Sequence, residues 1–98
     1  MKLSMFSIYD SAVAAYARPF GSISEGQALR LFKDFANDRN SEVYKHPSDY
    51  SLFIVGMFDD STGMLIPEVA PRMLMTGLEA RIDEIDERHY PINLEGPE

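Results

Sequence analysis

Between His46 and Ile66 the chain reads HPSDYSLFIVGMFDDSTGMLI, a stretch that leaves little choice of local structure. A turn at His46-Pro47-Ser48-Asp49 leads into an apolar run from Leu52 to Phe58. Polar Asp59-Asp60-Ser61-Thr62-Gly63 then reverses the chain into Met64, Leu65 and Ile66. Two apolar runs joined by about five polar residues ending in Gly specify a β-hairpin. The rest of the chain is organised around it.

Upstream, residues 2–9 (KLSMFSIY) place Leu3, Met5 and Ser7 on one face and Ser4, Phe6 and Ile8 on the other. With Tyr9 added both faces are largely apolar, the pattern of a central strand. Asp10-Ser11 ends the run, because short polar side chains bond to nearby backbone amides. Ala12 to Ala17 stays open between a helical turn, which its alanines favour, and a strand end at Tyr16-Ala17-Arg18. Pro19 biases Arg18 toward extended geometry, and Gly21 punctuates the segment between Phe20 and Ser24.

Residues 24–37 make the best helix. Ser24 caps it, Gln27 completes a capping box, and Glu25 in the first turn complements the helix dipole. Ala28, Leu31, Phe32, Phe35 and Ala36 recur at helical spacing as one apolar stripe, opposite Arg30, Lys33, Asp34 and Asn37. Glu42 to Lys45 reads as a connecting loop with Tyr44 tucked inward, and Pro47 starts a single turn. After the hairpin, Pro67 stops the second strand, and Glu68-Val69-Ala70 between two prolines cannot be a central strand. Arg72 to Thr76 is a short final strand closed by Gly77. Leu78, Ile82 and Ile85, with His89 in line, then give a helix whose apolar edge is too narrow to be stable alone. It has to dock on the body or pair with a partner. Pro91 to Glu98 forms a tail.

The order of elements predicts an α+β fold. A small antiparallel sheet of four to five strands is covered by one helix at 24–37, with an acidic C-terminal helix at 78–89. Whether the sheet is open or closed into a barrel of oligonucleotide-binding type is left undecided by strands this short. Residues 1–77 form the α+β domain and 78–98 the acidic helix and tail.

Composition bounds the function. The 98 residues, 45% apolar and 11% aromatic, suit one globular domain with a modest core. No apolar run reaches the roughly 18 residues of a membrane span, and the first residues lack a secretory signal's apolar region and cleavage site. Without cysteine there is no disulfide, thiol nucleophile or thiolate ligand, which suits a reducing cytoplasm. The net charge is −7, which argues against a simple cationic wrapper for nucleic acid. Residues 1–77 carry seven Lys/Arg against nine Asp/Glu, and residues 78–98 two against seven. The acidity is therefore largely C-terminal, and a nearly neutral body can still hold a basic face.

Catalytic candidates are few. His46 and His89 stand in no metal or triad spacing. His46, Asp49, Asp59 and Asp60 could gather at one end of the hairpin, but turn hydrogen bonding explains the aspartates more simply. A calcium loop is rejected: with Gly63 at its sixth position, Phe58 would occupy the first, where a carboxylate is needed. No catalytic residue, metal ligand or cofactor motif is expected, and the chain reads as non-enzymatic. Nucleic-acid binding needs cations for phosphates and aromatics for bases. The cationic candidates are Arg18, Arg30, Lys33, Arg39 and Lys45, with Lys2 and Arg72 as further ones. The aromatic candidates are Tyr16 and Tyr44, with Tyr9 and Tyr50 behind them. Against this, tyrosines at strand ends are usually half-buried core, and these cations are interleaved with acids.

Three stretches carry a resemblance. They are KLSMFSIYDSAVAAYARPF, the helical Ala28-Leu29-Arg30-Leu31-Phe32, and KHPSDYSLFIVGMFDDSTGML. Within them Tyr16 with Pro19-Phe20, His46 to Tyr50, and Gly56 to Gly63 are the most specific. Over residues 2–74 the chain resembles the small non-structural protein of gokushovirus-type microviruses, bacteriophages with single-stranded DNA genomes. The segment after residue 77 is longer and more acidic than that family's pattern. The resemblance implies a homodimeric, sequence-tolerant binder of single-stranded DNA in the host bacterial cytoplasm. Such a protein acts in viral DNA replication or in the switch to single-strand production and packaging. The rival reading is an adaptor, engaging a host replication or phage assembly protein through the acidic C-terminal helix and the Met-rich edge at Met64, Met73 and Met75. Neither reading involves a membrane.

Overall fold

The computed structural model describes residues 1–81. The elements are β1 (Lys2–Asp10), β2 (Ala15–Tyr16), β3 (Phe20–Ser22), α1 (Glu25–Ala36), α2 (Glu42–Lys45), a 3-10 turn (Pro47–Asp49), β4 (Tyr50–Asp59) and β5 (Met64–Thr76). Residues 77–81 are helical. The acidic helix expected at 78–89 lies outside the described residues beyond Arg81, and so does the tail.

The sheet has five strands in the order β2-β1-β4-β5, with β3 pairing β1 along the same edge as β2. All ladders are antiparallel. The two-faced apolar pattern of residues 2–9 does mark a central strand, because β1 has neighbours on both sides. Ala12 to Ala17 resolves as a turn followed by strand. The Asp10 carboxylate accepts from Ala12 N at 2.9 Å, Ala14 takes φ 57°, and Ala15–Tyr16 pairs back on β1. The strand at Phe20–Ser22 carries no periodic signal of its own, since it is three residues long beside a proline and includes a glycine.

Sheet curvature answers the question of open sheet or barrel. Met5 pairs with Gly56 and Phe6 with Ile54, leaving Val55 as an extra residue on β4. Gly56 pairs with Pro67 and Ile54 with Arg72, so residues 68–71 bulge out of β5 opposite that same Val55. Bulges increase local twist and bend the strand. Two of them at one point curl the sheet into an open half-barrel. Gly56 at the bend is obligatory: a Cβ there would sit 2.6 Å from the Ile66 carbonyl oxygen.

The hairpin is as expected at its turn, where Gly63 takes φ 77°. Beyond Pro67 it differs. One edge strand runs to Thr76 where two separate strands were expected, because the bulge absorbs the Pro67–Pro71 segment and pairing resumes at Arg72.

The helix at 24–37 is observed as α1 with Ser24 and Asn37 as its caps; the Ser24 hydroxyl accepts from Gln27 N at 3.1 Å. Its buried row is Ala28, Phe32 and Ala36, with Leu29 packed beside it. Leu31 and Phe35, expected in the stripe, remain 39% and 38% exposed. Glu42–Lys45, expected as a loop, is a short helix because the Ser41 hydroxyl accepts from Tyr44 N at 3.1 Å. Its inward residue is Val43 rather than Tyr44. Phe6, Leu52 and Ile54 from the sheet meet Ala28, Phe32, Ala36, Val43 and Ala80 in one core. Ala80 is fully buried while Leu78, expected on the apolar edge, is 47% exposed, so the helical stretch 77–81 docks by a different face.

Candidate nucleic-acid interface

Successive strand residues point to opposite faces. Phe6, Leu52 and Ile54 face the helices, which sends Ser7, Tyr9, Ser51 and Phe53 to the other side of the sheet. Tyr16 joins them as the cross-strand partner of Tyr9, and Met73 as the partner of Phe53. Three rings meet there. Tyr9 and Tyr16 lie 4.7 Å apart between centroids, Tyr16 and Phe53 5.4 Å, and Tyr9 and Phe53 6.0 Å. Their planes cross at 53°, 80° and 72°, the tilted and edge-to-face geometry that aromatic quadrupoles prefer.

Polar bonding holds this face in place. The buried Ser7 hydroxyl donates to the Ala17 carbonyl at 2.6 Å, and Ala17 N donates to the Ile8 carbonyl at 2.8 Å, so the chain leaving β2 is tied to β1. Tyr16 is 45% exposed and Met73 53%. Arg18 follows two residues after Tyr16, exposed and with no ion-pair partner among the described residues. None of Ser7, Tyr9, Tyr16, Ser51, Phe53 and Met73 is acidic. Asp10, Glu42 and Tyr50 lie at this end around an open depression of about 380 Å³, which Tyr16 at the sheet edge also lines. Burial there pushes the Tyr50 hydroxyl pKa above its usual 10.0, followed in effect by the charges of Asp10 and Glu42, a hydrogen bond to Asp10, and the charge of Asp49.

The candidates named from sequence divide between two regions. Tyr16 sits on β2 at the edge of the aromatic face, and Arg18 follows it in the exposed segment between β2 and β3. Arg30 and Lys33 are on α1, Arg39 follows it, and Tyr44 and Lys45 are on α2. The second group is laced with carboxylates. Arg30 and Asp34 line one shallow depression, and Lys45 pairs with Glu42 at 3.9 Å. Arg72 is paired with Glu25 at 3.1 Å. Tyr44 is occupied by the Arg81 guanidinium, 4.0 Å from its ring centroid.

Phe53 was missed from sequence because it sits inside an apolar run that reads as core throughout. The signal was there in the alternation: Leu52 and Ile54 claim one face, so Phe53 must claim the other. The gathering of His46, Asp49, Asp59 and Asp60 does not occur. Asp49 precedes β4 and Asp59 ends it, ten residues and roughly 30 Å apart at strand rise. Asp59 instead shapes its turn, its carboxylate accepting from Ser61 N at 2.9 Å.

The family model for the Phage ORF5 protein matches residues 3–80, from the start of β1 into the helical stretch after β5. The chain belongs to the Phage ORF5 protein family. It is therefore a phage protein, and every residue of the aromatic face falls inside the matched span of this Phage ORF5 member. No curated protein and no solved structure matches it. Among the described residues of this family member no helix is long and apolar enough to cross a membrane.

Proposed function

We propose that this phage protein binds single-stranded DNA. On this reading it is a non-structural protein of the gokushovirus type, acting in viral DNA replication or in the switch to single-strand production and packaging. It works in the host bacterial cytoplasm as a homodimer, by binding rather than by catalysis. One observation carries the reading: on the sheet face opposite the core, three aromatic rings meet with Tyr16 still 45% exposed, and Arg18, two residues further along the chain, is exposed with no ion-pair partner among the described residues. Open sheets and partly open barrels with surface aromatics are a recurrent platform for unpaired bases. The resemblance of residues 2–74 to the gokushovirus non-structural protein supplies the biological setting.

The test is a fluorescence anisotropy titration of the whole chain with labelled single-stranded and duplex oligonucleotides at low and high salt. Saturable single-strand binding at low salt is the expected result. Its absence there, where phosphate contacts are strongest, overturns the proposal.

A further inference from the structure

We infer that unpaired bases are held mainly by stacking on the Tyr9–Tyr16–Phe53 face, with Arg18 taking one phosphate, and not by the cations of the helical layer. This rests on the single-strand reading above and specifies how the DNA is gripped.

Charge gives the first reason. An electrostatic groove would have to be built from Arg30, Lys33, Arg39 and Lys45, but Asp34, Asp38 and Glu42 share those elements. Lys45 and Arg72 already have carboxylate partners. A strand laid there would face acids as often as bases. The aromatic face is different: in a chain of net charge −7 none of its described residues Ser7, Tyr9, Tyr16, Ser51, Phe53 and Met73 is acidic, and Arg18 follows Tyr16 by two residues.

Geometry gives the second. The rings pack on one another at tilted and edge-to-face angles, and Tyr16 stays 45% exposed. The rings are carried by paired strands, not by a mobile loop, so little side-chain ordering is left to accomplish on binding. The core lies on the opposite side of the sheet, so these aromatics are not needed to fill it. The tilts of 53° to 80° also limit the site. No two rings are parallel, so a continuous base stack cannot run across them, and about two splayed bases fit. A duplex hides its base faces and is excluded.

Salt dependence separates the two modes of grip. Single-strand binding loses about 0.7 in log K per log salt for each phosphate contacted. Arg18 alone gives a slope near −0.7, whereas four contacts from the helical layer would give roughly −3.

The experiment uses the full chain and a labelled oligothymidylate of about 12 nucleotides, titrated by anisotropy over a salt series. Tyr16→Leu keeps an apolar side chain but removes the ring, and is expected to weaken binding about tenfold or more. Tyr16→Phe is expected to bind like the parent, and the double variant Arg30→Ala/Arg39→Ala to change affinity less than about twofold. The chain has five tyrosines and no tryptophan, so oligonucleotide quenching of tyrosine emission reports the stack directly. Tyr16→Phe should bind with a smaller quench. A ribo-oligonucleotide should bind as tightly, because stacking ignores the 2′-hydroxyl, and duplex far more weakly. Thermal melting of each variant shows that the fold persists; should Tyr16→Leu unfold, Arg18→Ala, which should flatten the salt slope toward zero, decides the question. Single-strand binding with a slope near −3, lost in Arg30→Ala/Arg39→Ala and unmoved by the aromatic variants, overturns this inference while leaving single-strand binding standing. Tight duplex binding overturns it too. No binding at low salt defeats the functional reading itself.

Discussion

The Arg81 guanidinium stacks 4.0 Å from the centroid of the Tyr44 ring and also donates to the Tyr44 carbonyl at 2.9 Å. One side chain thus joins the helical stretch after β5 to α2, two elements 37 residues apart. Arg81→Ala is expected to cost about 1 kcal/mol, and a double-mutant cycle with Tyr44→Leu to show a coupling of about 0.5–2 kcal/mol. Urea unfolding measures both. A coupling near zero would mean that the stack forms without stabilising anything. A truncation meant to remove the acidic C-terminus should begin after Arg81; one made after Gly77 also deletes the fully buried Ala80.

Phe32 and Leu31 are neighbours on α1 with opposite fates, 1% and 39% exposed. Phe32→Ala should destabilise by about 3–5 kcal/mol, because it empties the space between helix and sheet. Leu31→Ala should cost less than about 1 kcal/mol. Equal losses in denaturant melts would contradict the orientation of the helix.

Ala14 holds φ 57° in the exposed turn between β1 and β2. A residue with a Cβ loses roughly 1 kcal/mol there, while glycine adds unfolded-state entropy of somewhat smaller size. Ala14→Gly should therefore stabilise the protein by about 0.5 kcal/mol. A fall in melting temperature would show that the turn is not left-handed at this residue.

Tyr50 predicts an alkaline weakness. Its folded-state pKa lies above the unfolded value of 10.0, so the folded protein holds the phenolic proton more tightly. The stability this contributes is complete below pH 10 and is lost as pH rises through the folded pKa. Tyr50→Phe should flatten the decline in stability above pH 10, read from melts at rising pH. An unchanged slope would remove Tyr50 as its source.

The sequence was most legible where local chemistry and tertiary packing agree. The Gly63 turn, the Ser24 cap and the two-faced strand β1 needed only nearest-neighbour reasoning. What escaped depended on other parts of the chain. The stripe on α1 was read with Leu31 and Phe35 as core, but the curled sheet meets the helix along Ala28, Phe32 and Ala36. Spacing alone cannot tell which edge of an apolar stripe a curved partner will cover. The aromatic face was hidden for a related reason. Tyr9, Tyr16 and Phe53 come from three strands and become one surface only once register is known. Charge counting pointed to cations spread over both layers and could not say which of them share a surface.

The excursion of residues 68–71 bears on how the molecule behaves in a crowded solution. β5 is an outer strand of an unclosed sheet, with Met64, Leu65 and Val69 exposed. Such an edge would ordinarily recruit strands from other molecules and seed aggregates. A second chain laid along β5 would meet four residues out of line and two prolines that have no N–H to offer. The irregularity that bends the sheet therefore also guards its edge against fibril-like growth.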